Sequence, residues 1–344
     1  MKNTSSRAAL LKIYWLAASV TLLIWLGAAL WGGFTALFTV IVLTFLETTF
    51  SADNAVVNSK VLASMSPRWQ KLFMTLGIFI AVFLVRFLVP ILIVVLTAGL
   101  GSTEVIQLAI NEPHRYEQEL AKAEPIISAF GGTFLLMIAL SYFVDYEKQS
   151  HWLKFLERRL GKLGRFDDLT IFVMLLAALG LFFTVERAYH TAVLIASIAA
   201  MVLHIGLNLL EALFEKNKKG LFSIKPKVGG AALAAFLYLE ILDASFSFDG
   251  VIGAFAITGS VVLIMAGLGA GAVWVRAMTI HLVRAKALTK YVFLEHGAHW
   301  ALVFLGLVML LKLYHIEFPE WFVGLAGIVV IAFSIVWSRR WQSK

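Results

Sequence analysis

The chain has 344 residues, of which 60% are hydrophobic and only 15% are charged, and its mean hydropathy is +0.87. A soluble domain is nearer half apolar and about a quarter charged, so this composition excludes soluble proteins. The net charge of +8 is expected to reflect basic loops beside a membrane and not nucleic-acid binding. The absence of cysteine excludes disulfides and thiolate chemistry.

Ten apolar segments are long enough to cross a membrane as helices, since a bilayer core about 30 Å thick needs roughly 20 apolar residues per crossing. The predicted spans are 13–33, 36–62, 72–100, 125–146, 169–187, 190–214, 231–257, 260–282, 288–311 and 320–338. No linker between them resembles a separate soluble domain. The sequence therefore predicts an all-α polytopic membrane bundle of about ten transmembrane helices, as a single transmembrane domain over residues 1–344.

Lysine and arginine are concentrated on one side of this ten-span arrangement. With the N-terminus inside, the cytoplasmic segments are both chain ends and the linkers 65–71, 147–168, 215–230 and 283–290, which together hold 22 of the 29 basic residues. The linkers of the opposite side hold four, and one of them, 101–124, is acid-rich and is expected to be an amphipathic or looped excursion. This bias predicts a multi-pass protein of the cell (inner) membrane with cytoplasmic N- and C-termini.

Two similar acidic motifs lie inside predicted spans. Each consists of an acid, two further residues, Phe-Ser, one more residue and Asp, and their key residues are Glu47, Ser51, Asp53 and Asn54 in the first and Asp243, Ser247, Asp249 and Gly250 in the second. The second and seventh spans run in opposite directions, so we predict an inverted repeat. Repeat one covers about 36–146 with motif 47–54, and repeat two covers about 231–312 with motif 243–250. Inverted repeats with a site near mid-membrane are typical of secondary transporters.

The acids of the motifs need a partner. An Asp at the centre of a membrane helix costs about 2.5–3.5 kcal/mol on insertion scales, so such groups are expected to face a cation, a wet cavity or a shared proton. Carboxylate, hydroxyl and amide oxygens are hard ligands suited to Mn²⁺, Mg²⁺ or Ca²⁺. The predicted metal ligands are Glu47, Ser51, Asp53, Asn54, Asp243, Ser247, Asp249 and Glu240. The alternative is that the acids are protonated or hydrogen-bonded packing residues.

Two details of this ligand set stay open. Glu240 lies three residues before Asp243 and is either an additional ligand or a proton site. Glu47 and Asp53 are six residues apart, which places them about 120° around one regular helix. We therefore expect a local unwinding at Ser-x-Asp in each motif, which would bring the carboxylates together and free backbone carbonyls as ligands.

The motifs resemble those of the TerC family of integral membrane proteins. The first is similar to its E-x-x-L-S-x-D-N-A pattern, with Phe50 in place of Leu, and the second is similar to its D-x-x-F-S-x-D pattern. The resemblance covers about 36–312 and indicates a TerC-like branch described as a domain of unknown function. It implies membership of the wider superfamily of cation and solute exporters that includes the lysine exporters. For several relatives it implies manganese efflux or metal homeostasis.

Other ionisable residues within predicted spans have two readings each. Arg86 and Arg276 either neutralise motif carboxylates or extend to a membrane interface. Glu295 and His299 are four residues apart and, with His296, form either a second ligand group or a structural hydrogen-bond cluster.

The leading functional prediction is a secondary transporter that exports a divalent cation, with manganese as the favoured ion. The ion is a substrate and no cofactor is expected to be bound permanently. The expected partners are the lipid bilayer, the metal ion and a coupling proton, without nucleic acid, and a homo-oligomer is left open. The alternative is a non-transporting membrane scaffold for tellurite or metal resistance or for membrane-protein biogenesis. No enzyme is expected, because an intramembrane aspartyl pair of Asp53 and Asp249 would leave the repeated Ser and Asn unexplained.

Overall fold

The computed structural model describes residues 2–145, 148, 150–166, 168–214, 226–255 and 257–342. For residues 2–12 and for a few positions inside later helices, Asp249 among them, it describes the backbone alone.

Helices follow one another along the chain. The first are α1 (Lys2–Phe50), α2 (Ala52–Ala63), α3 (Pro67–Phe79), a π-helical segment (Ile80–Leu88), α4 (Val89–Ala98), α5 (Ser102–Asn111), α6 (Pro113–Lys122) and α7 (Glu124–Val144). The next are α8 (Lys154–Leu163), α9 (Leu169–Thr184), a 3₁₀ turn (Arg187–Tyr189) and α10 (His190–Phe214). The last are α11 (Gly229–Phe255), α12 (Val261–Arg284), α13 (Ala287–Lys290), α14 (Leu294–Lys312) and α15 (Glu320–Gln342).

The helices confirm the predicted fold class. Helix accounts for 87% of the described residues, and these residues form no β-strand. Seven stretches of the described chain are long and apolar enough to cross a membrane: Ile13–Thr49, Pro67–Ala98, Glu124–Val144, Arg187–Leu210, Val261–Arg284, Leu294–Lys312 and Trp321–Trp341. The protein is therefore an all-α polytopic membrane protein, and its apolar helices contact the lipid bilayer.

The count of seven differs from the predicted ten for three structural reasons. The predicted spans 13–33 and 36–62 fall largely on the two halves of α1, which join at Gly32 and Gly33 and are counted together as the stretch Ile13–Thr49. Helix α9, which corresponds to the predicted span 169–187, has only 16 residues. Helix α11, the predicted seventh span, carries three acids along its 27 residues, which lowers its apolarity.

Helix α1 contains a kink where the first two predicted spans were separated. Gly32 has φ −133° and ψ 17°, and Gly33 has φ 66° and ψ −153°. The left-handed φ of Gly33 favours glycine, because a side chain there would be strained. The predicted boundary between the two spans therefore lies at this kink, where the chain folds back far enough for the indole nitrogen of Trp25 to donate to Oγ1 of Thr44 at 3.3 Å.

The chain divides into two compact units. Unit 1 comprises Met1–Ala123 and Tyr238–Ala285, and unit 2 comprises Glu124–Leu237 and Lys286–Lys344. In unit 1, α12 packs against α1, α2, α3 and the π-helical segment, and the predicted excursion 101–124 forms the short helices α5 and α6. In unit 2, α7 packs against α10 and α14, and α15 packs against α14. Both acidic motifs lie in unit 1, and their inverted relation stays a prediction.

Small residues on α12 let α1 approach closely. A Cβ atom added at Gly271 would lie 2.5 Å from Cβ of Glu47 and 3.0 Å from the carbonyl oxygen of Thr44. Small residues commonly allow such close helix packing in membranes. Because Gly271 has no side chain, Glu47 of the first motif can pack directly against α12.

Candidate functional site

The first motif lies at an interruption between two helices. Helix α1 ends at Phe50 and α2 begins at Ala52, with Ser51 between them at φ −95° and ψ 16°. The amide of Ser51 still donates to the carbonyl oxygen of Glu47 at 3.0 Å, so that carbonyl is not freed. Helix α11 runs without a break through the second motif. The predicted unwinding is therefore limited to one residue in the first motif, and it was wrong for the second, where the helical hydrogen bonds continue.

Glu47 is buried and paired with a buried arginine. Its Oε1 accepts a hydrogen bond from the guanidinium of Arg86 and another from Oγ of Ser51, the latter at 3.1 Å. Arg86 lies in the π-helical segment, and its Nη1 donates to the carbonyl oxygen of Ala81 at 2.8 Å. π-Helical turns are rare and often occur at functional sites. Here the segment holds a cation beside the first motif.

A second buried arginine serves two acids of α11. The guanidinium of Arg276 donates to both carboxylate oxygens of Glu240, at 3.1 and 2.8 Å, and to Oδ2 of Asp243 at 3.3 Å. It also donates to the carbonyl oxygen of Phe73 at 3.2 Å and lies over the phenyl ring of that residue, 4.2 Å from the centroid. The side chain of Arg276 is only 2% exposed. This bidentate geometry is the one in which arginine binds a carboxylate most strongly.

The same pairing therefore recurs at the two motifs. The alignment of the motifs equates Glu47 with Asp243, and each is held by an arginine from the membrane span that follows it in the chain. An uncompensated charge inside the membrane is costly, so a nearby guanidinium stabilises each carboxylate. Of the two readings of Arg86 and Arg276, the structure has the one in which they neutralise carboxylates.

The two motifs also meet each other in unit 1. A Cβ atom added at Gly250 of the second motif would lie 3.3 Å from Oε2 of Glu47, the oxygen that Arg86 does not hold. A Cβ atom added at Gly77 would lie 2.7 Å from Oε1 of Glu240. Glycine at these two positions leaves room for the carboxylates, and one oxygen of Glu47 faces the backbone of the other motif.

Several buried polar oxygens of α2 and α11 lack a hydrogen-bond partner among the described residues. Oδ1 of Asn54, Oδ1 of Asn58 and Oγ of Ser247 are buried without a hydrogen bond to any described residue. A buried polar atom without a partner costs about 1–3 kcal/mol, so each such atom in a native structure requires an explanation. Two of the three belong to the predicted ligand set, Asn54 and Ser247.

The remaining predicted ligands have the following positions. Asp53 is 8% exposed, and its Oδ1 accepts from the amide of Asn54 at 3.0 Å. The side chain of Asp249 lies outside what the structure describes. Among the described residues, no group of three or more histidine or acidic side chains is placed to hold a metal ion. The arginines hold Glu47, Glu240 and Asp243, and the ligand set as a whole stays a prediction.

Sequence reasoning missed three residues of this region. Asn58 lies four residues after Asn54, and this helical spacing was a usable signal that the polar face of the first motif continues. Phe73 and Gly77 carry no such signal, because their role arises only from the position of Arg276 in space.

The histidines of α14 form a separate cluster, in unit 2. Nδ1 of His296 lies 2.8 Å from Oε2 of Glu157, and its Nε2 lies 2.9 Å from Oγ of Ser150. Nδ1 of His299 lies 2.8 Å from the carbonyl oxygen of Glu295. The structure therefore has the hydrogen-bond cluster and not the joint ligation that the spacing of Glu295 and His299 would permit.

One comparison with known proteins identifies a family. The chain matches the family described as protein of unknown function (DUF475) over residues 52–343. That range contains Asp53, the whole second motif and both buried arginines, and it begins after Glu47. No curated protein and no solved structure matches the chain. Because the match covers well over half of the 344 residues, the chain belongs to the DUF475 family of proteins of unknown function.

Proposed function

We propose that the protein is a secondary transporter that exports a hard divalent cation, foremost manganese, through the acids of its two motifs. One observation carries the proposal. Three buried acids in unit 1 are paired with only two arginines, and Oδ1 of Asn54 and Oγ of Ser247 in the same two motifs are buried without a partner among the described residues. Amide, hydroxyl and carboxylate oxygens together are ligands that manganese accepts.

The charge of the cluster suits a divalent ion. Three acids, Glu47, Glu240 and Asp243, pair with Arg86 and Arg276, and Asp53 of the first motif is a fourth buried acid, which makes four carboxylates and two guanidiniums among the described side chains. If all are ionised, the formal charge is −2, which one divalent cation would balance. Asp249 of the second motif adds a further acid in the sequence, and we assign to it or to Glu240 the coupling proton.

When no ion is bound, the arginines would neutralise the acids in place of the transported ion. A carboxylate cluster without cation or arginine would repel itself in a medium of low dielectric constant. Arg86 and Arg276 each donate a hydrogen bond to a backbone carbonyl oxygen as well as to their acids. These bonds would keep the guanidiniums in place when the acids bind an ion instead. Renewed pairing of the acids with these guanidiniums would then displace the ion and stabilise the empty transporter.

The sequence supports the same assignment. The two motifs resemble those of the TerC family, and we infer that this chain is a TerC-like member of the DUF475 family. The distribution of basic residues supports insertion in the inner membrane with both termini in the cytoplasm. Export requires release on the outer face, which protonation of the acids would promote.

A scaffold without transport activity is the second candidate, and one observation favours it. In the described part of the chain, three of the motif-region acids are already ion-paired, as packing residues would be. The scaffold requires no ion movement, whereas the transporter requires that the acids leave their arginines during each cycle.

The test in cells uses a strain that overproduces the protein under manganese stress. We expect wild type to lower the cellular manganese content, and Asp53→Asn to abolish at least nine tenths of this effect (about tenfold). Glu104→Gln is the matched control, because Glu104 is an exposed acid on α5 of unit 1. If Asp53→Asn and Asp243→Asn both lowered cellular manganese as much as wild type does, the assignment of the site would be contradicted and the scaffold would be favoured.

A further inference from the structure

A pocket of about 550 Å³ lies at one end of unit 1, where three membrane spans end together. Its walls come from the first turns of the spans Ile13–Thr49 and Pro67–Ala98 and from the last turn of Val261–Arg284. The ends of spans lie at the boundary between the hydrocarbon core and the headgroups. The pocket therefore lies at headgroup depth, whichever side of the membrane it faces.

Two cations line this pocket without an acidic partner. Lys71 and Arg284 are both exposed, and neither side chain forms an ion pair or a hydrogen bond with any described residue. Lysine and arginine near a membrane surface attract anionic lipid, at about 1 kcal/mol per residue. The lining of the pocket therefore carries two positive charges that no described acid pairs with.

The rest of the lining is apolar. Leu16, Met74 and Ile280 line the pocket, together with the largely exposed Trp15. Tryptophan is enriched at headgroup level in membrane proteins. A small soluble anion would gain nothing from these apolar walls, whereas the acyl chains of a lipid would pack against them.

Hydrogen bonds hold the walls of the pocket in place. The hydroxyl of Tyr14 lies 3.0 Å from Nδ1 of His281, which joins α1 to α12. The amide of Gln70, a lining residue, donates to the carbonyl oxygens of Leu62 and Met65 at 3.2 and 3.1 Å. These hydrogen bonds connect α1 with α12 and α3 with the end of α2 next to the pocket.

We propose that this pocket binds the headgroup of an anionic phospholipid. The phosphate would bridge Lys71 and Arg284, and the acyl chains would lie along Leu16 and Met74 toward the membrane core. A zwitterionic lipid carries its own cation beside the phosphate, which two protein cations would repel. The site is independent of the transported ion and does not rest on the proposed function.

The test is native mass spectrometry of the full-length protein with phosphatidylglycerol and phosphatidylcholine of matched acyl chains. We expect wild type to retain phosphatidylglycerol with at least about tenfold higher affinity, as two interfacial cations imply. Lys71→Gln with Arg284→Gln should lower that preference close to one. Arg68→Gln with Lys286→Gln is the matched control, since it removes equal charge from the same two linkers but from residues that do not line the pocket. This control should keep the preference.

Three results would overturn the proposal. They are the absence of a preference in wild type, an equal preference in the Lys71 and Arg284 double variant, and displacement of phosphatidylglycerol by millimolar inorganic phosphate. The first two would mean that the cations only extend to the interface, and the third would mean a general anion site. Arg284→Lys keeps the charge and should keep the preference, so it distinguishes lost lipid binding from a fold damaged by the double variant.

Discussion

At the scale of single residues, the buried arginines of unit 1 decide how the acids can be accommodated. Arg276 makes three hydrogen bonds to Glu240 and Asp243, and a fourth to a backbone carbonyl. Removal of one member of such a buried group leaves a charge without compensation, which costs far more than the group contributes when intact. The acids and arginines should therefore behave as coupled units in mutagenesis.

The coupling can be measured with Arg276→Met. We expect this variant to lose about 3–5 kcal/mol of stability, because Glu240 and Asp243 keep their burial but lose their counter-charge. Adding Glu240→Gln should restore a substantial part of the loss. Thermal unfolding in detergent, followed for the two single variants and the double variant, gives the coupling. Strictly additive effects would contradict a functional ion pair.

Gly77 provides a steric test of the same pair. A Cβ atom there would lie 2.7 Å from Oε1 of Glu240, so Gly77→Ala should displace the carboxylate or Arg276 and lower the unfolding temperature by several degrees. Gly180→Ala on α9 is the control, because its Cβ would meet nothing within 4 Å. Alanine is the better helix former, so the control should be neutral or slightly stabilising. Equal behaviour of the two variants would contradict close packing at Gly77.

At the scale of elements, α8 is attached to unit 2 through one buried carboxylate. Glu157 is 1% exposed, and its oxygens accept from the indole nitrogen of Trp300 at 3.1 Å and from the amide of Trp152 at 3.0 Å, with His296 at 2.8 Å. Burial opposes ionisation of Glu157. The hydrogen bond and charge of His296, the charge of Lys148 and the hydrogen bond from Trp300 outweigh burial and lower the pKa of Glu157 to about 2. The ionised carboxylate therefore fastens α8 to α14.

This attachment has a defined pH dependence. Since the folded pKa of Glu157 lies below its ordinary value of 4.5, the stabilisation is complete above that value and is lost as the pH falls toward 2. Glu157→Gln should loosen α8 at neutral pH. Hydrogen exchange of 154–163 should be at least several-fold faster in this variant than in wild type. Arg158→Gln on the same helix should leave exchange unchanged, and unchanged exchange in Glu157→Gln would contradict the attachment.

The elements show what hydropathy could and could not predict. Apolar length located the membrane helices, because every crossing requires it. The gap between the predicted spans 13–33 and 36–62 coincides with the kink at Gly32 and Gly33, but hydropathy could not predict that so short a turn joins the two halves of α1. Likewise, the linker that contains α8 reads as solvated and basic, and the burial of Glu157 depends on His296 and Trp300, which are more than a hundred residues away in sequence.

The candidate site was predictable in part for a similar reason. The repeated motif and the cost of intramembrane acids identified Glu47, Asp53, Asp243 and Glu240 as a group needing a partner. The partner of each acid depends on how the π-helical segment and α12 are positioned along their neighbours. Patterns of single residues in the sequence do not encode that position. The arginines could therefore be named from sequence, but their pairing with particular acids could not.

At the scale of the whole molecule, the acids and arginines of unit 1 form a charged centre inside a membrane protein. Among the described side chains, three carboxylates pair with two guanidiniums and Asp53 is a fourth buried acid, so the four acids together favour two further positive charges. In a scaffold this arrangement would be an unexplained cost. In a transporter it provides affinity for a divalent ion and a means of releasing it.

The most direct test of this claim is manganese uptake by the purified protein in liposomes, compared between wild type and Asp243→Asn. We expect wild type to move Mn²⁺, and we expect excess unlabelled Mn²⁺ to compete more strongly than Ca²⁺. Asp243→Asn, which lowers the charge of the centre but keeps the size of the side chain, should reduce the rate by at least about tenfold. Wild-type liposomes that move no divalent cation, or a variant that transports at the wild-type rate, would contradict the account.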